Sequence, residues 1–131
     1  MKEELSRVLE ADQRVAYAVL FGSRARGTAR PDSDVDVAVG LMEGARLTTL
    51  DLGGLIGDMA AATQHEVDLV LLDEASPALA YRVFRDGSEV YVRDRARLVE
   101  RKARAIVEYL DFKPIEALCA AGVLAAASHG R

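Results

Sequence analysis

The segment "DVDVAVG", residues 34–40, carries two aspartates on a stretch whose alternation predicts a β-strand. Side chains two residues apart on a strand point to the same face, so Asp34 and Asp36 project together, roughly 7 Å apart, while the intervening valines face the core. Aspartate is a poor strand former, and a pair of them needs a compensating role. Carboxylates this close repel unless cations lie between them, and Mg²⁺ prefers such oxygen ligands. The pair therefore predicts a site for divalent cations.

A third acid, Asp68, lies in the apolar segment "VDLVLL", between Val67 and Leu69. This segment also predicts a strand, and pairing beside the first strand would bring Asp68 to the same site. Taken alone, Asp68 can equally be an ordinary acid near the beginning of a strand. Taken with Asp34 and Asp36, it favours a cluster of three carboxylates.

A calcium-binding loop is a competing interpretation of the same acids. The three aspartates of "DSDVD" occupy positions 1, 3 and 5 of such a loop, and Glu43 falls at position 12. Position 6, where the loop needs glycine for a sharp turn, is Val37. Pro31 leaves no room for an entering helix, and the following residues are strand formers. The pattern argues against a calcium loop.

A glycine-serine pair precedes the acids by ten residues. It follows an apolar strand, so Gly22 allows close backbone approach, and the turn can present amides and the Ser23 hydroxyl to a phosphate. Arg24, Arg26 and Arg30 can neutralise a triphosphate, although arginines in a loop are more often ordinary surface charges. Beside a cation site, the pair indicates binding of a phosphorylated ligand.

Strands and helices alternate along the chain, which predicts an α+β fold, α/β-like in its layers, with a small mixed β-sheet flanked by helices. The predicted strands lie at 15–22, 34–40, 66–73 and within 85–92. The predicted helices lie at about 2–12, 47–63, 77–84 and 94–110, and 23–33 predicts a loop with at most one helical turn. The last helix has an apolar stripe formed by Val99, Ala103, Ile106 and Leu110.

The 131 residues predict one domain over 1–131, with a core at about 15–93 and a helical segment at about 94–131. Half of the residues are hydrophobic and 29% are charged, as in globular proteins. No apolar run is long enough to span a membrane, and the charged N-terminus does not resemble a signal peptide. Cys119 is the only cysteine, which predicts a buried thiol and a reducing, cytoplasmic location.

The net charge of −4 and the absence of tryptophan do not favour direct nucleic-acid binding. Eight of the seventeen basic residues nevertheless lie between 82 and 104. This cluster has two interpretations: a solvated helix face, or a docking surface for an acidic partner.

The pattern Gly22-Ser23, ten residues, then "DVD" with a later Asp68 resembles the signature of the nucleotidyltransferase superfamily that includes DNA polymerase β. The segment "FGSRARGTARPDSDVDVAV" is similar to the corresponding segment of the minimal members of this superfamily, the MntA-type antitoxins paired with HEPN-domain toxins. The segment "YRVFRDGSEVYVRDRARLVERKARAIVEYLDFKP" is similar to the C-terminal half of that group. The resemblance covers about residues 15–114, and the tail after Pro114 has no counterpart in it.

The resemblance implies a polymerase β-like fold and Mg²⁺-dependent transfer of AMP from ATP to a hydroxyl, a tyrosine, of a HEPN ribonuclease toxin. It implies two Mg²⁺ ions, ATP as substrate, the toxin as partner, and no membrane. Catalysis and metal binding would fall to Asp34, Asp36 and Asp68, with Asp68 as the candidate general base. Binding of the phosphates would fall to Gly22, Ser23, Arg24 and Arg26.

Two alternatives stay open beside this interpretation. The chain can be a non-catalytic antitoxin that inhibits its toxin by occlusion, although unused clustered carboxylates only destabilise a sheet. It can also be a nucleotidyltransferase for a small molecule such as an aminoglycoside, although 131 residues leave little material for a closed substrate pocket.

Overall fold

A computed structural model describes the backbone of residues 1–120 and the side chains of residues 1–111. The tail from residue 121 onward and the surroundings of the Cys119 thiol therefore lie outside the described residues. In the described part of the chain, no helix is both long and apolar enough to cross a membrane.

The order of the elements is the predicted one. The strands are β1 (Val15–Phe21), β2 (Val35–Leu41), β3 (Val67–Leu71) and β4 (Ser88–Val92). The helices are α1 (Lys2–Glu10), α2 (Ser23–Arg26), α3 (Thr49–Thr63), α4 (Pro77–Asp86) and α5 (Arg95–Ala120), with a single 3₁₀ turn at Leu72–Glu74. The main difference is the length of α5, which passes the predicted end at residue 110 and continues through Pro114 to Ala120.

The four strands form one mixed sheet in the order β3-β2-β1-β4. The central strand β1 runs antiparallel to β2 and β4, whereas β2 and β3 run parallel and are joined by α3. A parallel pair needs a crossover of this kind, because a tight turn can join only antiparallel strands. The predicted α+β fold with a small mixed sheet between helices is confirmed.

Each face of the sheet packs against its own pair of helices. Val35, Val37 and Val39 are fully buried in the core that α1 and α3 cover, as the alternation predicts. Ala38 points the other way, into the core that α4 and α5 cover. Because Asp36 shares a face with Ala38, its carboxylate lies on the α4–α5 side of the sheet.

The side of α5 that packs on the sheet is not the predicted apolar stripe. Leu98, Arg101 and Ala105 are buried, whereas Val99 and Leu110 are 54% and 60% exposed. The helix has two apolar sides, and α5 can pack closely on the sheet through the side that carries the small Ala105. The predicted stripe consequently faces outward.

Several arginines of the basic cluster are structural, so neither predicted interpretation describes them. Arg101 is only 6% exposed and donates hydrogen bonds from Nε and Nη2 to the Leu72 carbonyl oxygen at 3.3 and 3.1 Å. Arg97 Nε donates to the Leu41 carbonyl oxygen at 2.9 Å. These guanidinium groups satisfy carbonyls where β2 and β3 end, and so attach α5 to that edge of the sheet.

Candidate active site

Two of the three predicted acids are direct neighbours across the parallel pair of strands. Asp36 on β2 is in register with Asp68 on β3. The register is supported where the strands begin, because the Val35 amide donates to the Glu66 carbonyl oxygen at 2.8 Å. In-register residues of parallel strands point to the same face, so both carboxylates lie on the α4–α5 side.

Asp34 precedes β2 by one residue and completes the group of acids. It is exposed, as is Asp68, whereas Asp36 is partly buried. The pKa of the Asp36 carboxyl is raised, first by burial and then by the negative charges of Asp68 and Asp34, while Arg26 acts in the opposite direction. The three predicted acids therefore share one electrostatic environment.

The chemistry of these donors fits a hard divalent cation. Within residues 1–111, none of the three carboxylates has a salt-bridge or hydrogen-bond partner, so their oxygens are available as ligands. Over the same residues, no three acidic, histidine or cysteine side chains are already gathered around a point that could hold a metal ion. Repulsion between the negative charges keeps the three carboxylates apart, and a bound cation would remove this repulsion.

Gly22 has a structural role in addition to the predicted one. Its backbone has φ = 74°, a left-handed conformation that favours glycine. A Cβ atom at this position would overlap the Asp36 carboxylate, because Phe21 pairs with Asp36 across β1 and β2. The glycine therefore lets β1 end directly against the acid.

Ser23 and Arg26 form the two ends of the short helix α2, which begins immediately after Gly22. Arg26 is exposed, and its charge acts on Asp36. Beside α2 lies a cavity of about 140 Å³ whose lining includes Gly22, Arg26 and Arg82. Arg26 and Arg82 line this cavity together with Asp86, so its lining keeps a positive charge that can neutralise part of a phosphorylated ligand.

Arg82 was not identified as a site residue from the sequence, which placed it only in the basic cluster. It lies on α4, and the pairing of β4 with β1 fixes where α4 ends relative to the sheet. No local pattern indicates this pairing, so the sequence offered no signal for Arg82.

Arg24 differs from the expectation of a phosphate contact. Its Nη2 donates to the Ser33 carbonyl oxygen at 2.8 Å and lies 3.3 Å from His65 Nδ1. The guanidinium is thus turned toward the loop that precedes β2. Of the four predicted phosphate-binding residues, Gly22 lies against Asp36, the charge of Arg26 acts on Asp36, Ser23 begins α2 directly after Gly22, and Arg24 is turned toward the loop.

Comparisons with known proteins agree with this geometry. A model of the family "Polymerase beta, Nucleotidyltransferase" matches residues 3–96. Protein adenylyltransferase MntA of Aphanizomenon flos-aquae is 27% identical over 124 residues, covering 88% of this chain and 83% of that protein.

Solved structures share the fold at lower identity. A crystal structure of a toxin–antitoxin with AMP-PNP contains a chain that is 23% identical, with a TM-score of 0.79, covering 94% of this chain and 98% of that one. A chain from the tri-AMPylated Shewanella oneidensis HEPN toxin in complex with MNT antitoxin is 21% identical, with a TM-score of 0.72, covering 95% and 99%. With the family model matching most of its length, the chain belongs to the polymerase β nucleotidyltransferase family, as its sequence predicts.

Proposed function

We propose that this chain is a Mg²⁺-dependent adenylyltransferase that transfers AMP from ATP to a tyrosine hydroxyl of a HEPN-family toxin and thereby silences it as an antitoxin. The observation that carries the proposal is the register that sets Asp36 beside Asp68, with Gly22 against Asp36 and the charge of Asp34 acting on it. Relatives support it, since one is named a protein adenylyltransferase and a similar structure contains a tri-AMPylated HEPN toxin. ATP as donor fits a cytoplasmic location.

The reaction is an in-line displacement at the α-phosphorus of ATP. The oxygen of the acceptor hydroxyl forms a bond to this phosphorus, the bond to the bridging oxygen of the β-phosphate breaks, and pyrophosphate leaves with that electron pair. Asp68 is exposed at the edge of the site and accepts the hydroxyl proton. Ser23 and Arg26 hold the phosphates that leave, and Arg82 adds a second positive charge beside them.

Asp34, Asp36 and Asp68 are the residues that would hold Mg²⁺, in two sites by the chemistry of this family. When bound, Mg²⁺ polarises the reacting phosphate and neutralises negative charge as it develops. The chain's own contribution is to orient its carboxylates and the nucleotide, since phosphoryl transfer depends mainly on positioning and charge neutralisation.

The exposure of the acids favours a protein as the acceptor, because Asp34 and Asp68 both lie at the surface. The neighbouring cavity lined by Gly22 and Arg26 measures only about 140 Å³, whereas pockets that enclose a small molecule are usually about 300–1,000 Å³. A site this open cannot surround an aminoglycoside-like acceptor. It suits an acceptor that brings its own surface.

A surface for such an acceptor is available on α5. We define its outer face by the exposed apolar residues Val99, Ile106, Val107 and Leu110, which are 54%, 40%, 58% and 60% exposed. α5 covers the same side of the sheet that carries Asp36 and Asp68. A toxin bound to the outer face would therefore lie over the same face of the sheet as the carboxylates, while Arg97 and Arg101 attach α5 where β2 and β3 end.

The double variant Ile106→Ser/Leu110→Ser tests this surface. We expect its affinity for the toxin to fall about tenfold or more, because loss of apolar anchors at the centre of an interface typically costs more than about 1 kcal/mol each. Titration calorimetry with the purified toxin measures the affinity. The matched control is Leu50→Ser, which removes an 86% exposed leucine from α3 on the opposite side of the sheet and should leave binding unchanged. Equal effects of the two changes would contradict docking on the outer face.

Asp68→Ala tests the enzymatic proposal against occlusion. One enzyme molecule silences many toxin molecules, whereas an occluding protein must match its target one for one. In cells that express toxin and antitoxin at graded ratios, the wild-type chain should restore growth when it is much scarcer than the toxin. Asp68→Ala should bind the toxin normally yet fail to protect at the same ratios. Full protection by Asp68→Ala at low ratios, or a wild type that protects only in excess, would overturn catalysis.

A further inference from the structure

Arg24 connects the three segments that carry the proposed catalytic residues. It lies on α2, directly after Ser23. Its Nη2 donates to the carbonyl oxygen of Ser33, the residue before Asp34, at 2.8 Å. The same atom lies 3.3 Å from Nδ1 of His65, on the segment that leads into β3.

The side chain of Arg24 is partly buried. Its Nε is shielded from water and has no hydrogen-bond partner among the described residues. Two longer contacts of 3.5 Å join Nη2 to the carbonyl oxygens of Arg30 and Pro31. Arg26, two residues further along the same short helix, is exposed by contrast.

The turn that precedes Asp34 is closed by its own hydrogen bonds. The Ser33 amide donates to the Arg30 carbonyl oxygen at 3.0 Å, and the Arg30 amide donates to Ser33 Oγ at 2.8 Å. These bonds fix the shape of the turn but not its position against the rest of the site. Arg24 fixes the position of the turn, because it connects the turn to α2 on one side and to the segment before β3 on the other.

We infer that Arg24 is a positioning residue, which fixes the backbone before Asp34 relative to the segment before Asp68 and so sets the spacing of the carboxylates for the cation. This inference rests on the proposed function, but the cation binding that it predicts can be measured on the chain alone. It replaces the role of phosphate contact that the sequence predicts for Arg24. Outer-shell residues of this kind typically change metal affinity or activity by about 10–100-fold when they are replaced.

Binding of Mn²⁺ in the absence of nucleotide and toxin tests the inference directly. Electron paramagnetic resonance counts the free ion, with Mn²⁺ standing in for Mg²⁺. We expect Arg24→Ala to weaken Mn²⁺ binding by about tenfold, the lower end of the range for outer-shell changes, and to lower kcat while KM for ATP changes less than about twofold. Arg26→Ala is the matched control, and it should raise KM for ATP without weakening Mn²⁺ binding.

Arg24→Lys separates positioning from charge. Lysine keeps the positive charge, but its side chain is one bond shorter, so its ammonium does not reach the position of Nη2, the atom that contacts both the Ser33 carbonyl and His65. Positioning predicts that Arg24→Lys, with a circular dichroism spectrum like that of the wild type, still binds Mn²⁺ more weakly. A contact with phosphate predicts normal Mn²⁺ binding, a KM for ATP near the wild-type value in Arg24→Lys, and a raised KM in Arg24→Ala. That second pattern would overturn the inference.

The two proposals fail in different experiments. If no AMP is transferred under any condition but Arg24→Ala still weakens Mn²⁺ binding, the positioning role stands and the proposed function falls. If AMP is transferred and Mn²⁺ binding by Arg24→Ala equals that of the wild type, the positioning role falls alone.

Discussion

Asp36→Asn is expected to abolish AMP transfer while leaving the fold at least as stable as in the wild type. The side chain keeps its size but loses the charge that would hold a cation. Charge stabilisation by a bound metal is worth several kcal/mol, so we expect a loss in kcat of about a thousandfold or more. Labelled ATP, Mg²⁺ and purified toxin give the rate.

The stability of Asp36→Asn should depend on pH in a defined direction. The pKa of the Asp36 carboxyl is raised in the folded protein, by burial and by Asp68 and Asp34. The ionised carboxylate therefore lowers the free energy of unfolding at neutral pH, and asparagine removes that penalty. The variant should be the more stable protein near pH 7, and the difference should vanish below about pH 4, where aspartate is protonated in the unfolded chain as well. Urea unfolding of both proteins at several pH values measures the difference in their free energies of unfolding.

Asp32→Asn is the matched control for this prediction. Asp32 lies in the same segment but is exposed in the loop before β2, outside the group of three acids. The Asp32→Asn variant should transfer AMP at the wild-type rate. Transfer at the wild-type rate by Asp36→Asn, or an equal loss in both variants, would contradict the catalytic assignment.

Gly22→Ala is expected to lower the rate of transfer by about a hundredfold, because displacement of a reacting group by about 1 Å can cost that much. A Cβ at position 22 would overlap the Asp36 carboxylate, so the acid must move. The backbone of Gly22, with φ = 74° and ψ = −154°, lies in a region that is essentially restricted to glycine, which adds a cost of about 1–3 kcal/mol to folding of the alanine variant. Thermal unfolding and the transfer assay together separate the two effects.

Gly27→Ala supplies the comparison. Gly27 also has a positive φ, 73°, but its ψ is 15° whereas that of Gly22 is −154°, and its Cβ would meet nothing within 4 Å. Gly27→Ala should therefore lose less stability than Gly22→Ala, and it should keep the wild-type rate of transfer. If Gly27→Ala loses as much activity as Gly22→Ala, backbone strain explains the defect and the contact with Asp36 does not.

The orientation of Asp36 in the candidate site could be predicted from the sequence because it depends on a local pattern. The alternation in β2 puts Asp36 opposite the buried valines, and this follows from strand geometry alone. The register of Asp36 with Asp68 does not follow from a local pattern, because α3 and the parallel pairing of β2 with β3 fix it. The sequence could state only that such pairing would bring the two acids together.

The roles of the arginines were harder to predict from the sequence. Arg24 and Arg26 lie two residues apart in the same turn, and nothing local distinguishes the one that contacts the loop from the one that stays exposed. Arg101 is similar, because a charged residue on a helix predicts a solvated position, and its burial depends on the Leu72 carbonyl that it satisfies. Tertiary contacts decide all three roles.

The orientation of α5 also depended on packing. Both of its sides carry apolar residues, so periodicity identifies a helix but not the side that packs on the sheet. Leu98 and Ala105 form that side, and the more regular stripe with Val99 and Leu110 lies outward. An apolar stripe left exposed in this way is what a protein partner would require.

The position of the label in ATP tests the central claim most directly. Purified chain, Mg²⁺ and toxin are incubated in parallel with ATP labelled at the α-phosphate and ATP labelled at the γ-phosphate, and the toxin is then separated and counted. Transfer of AMP predicts that the toxin acquires the α-label, retains none of the γ-label, and gains a labelled tyrosine on peptide mapping. Toxin that carries the γ-label, or neither label while it is still neutralised, would contradict adenylyl transfer by this chain.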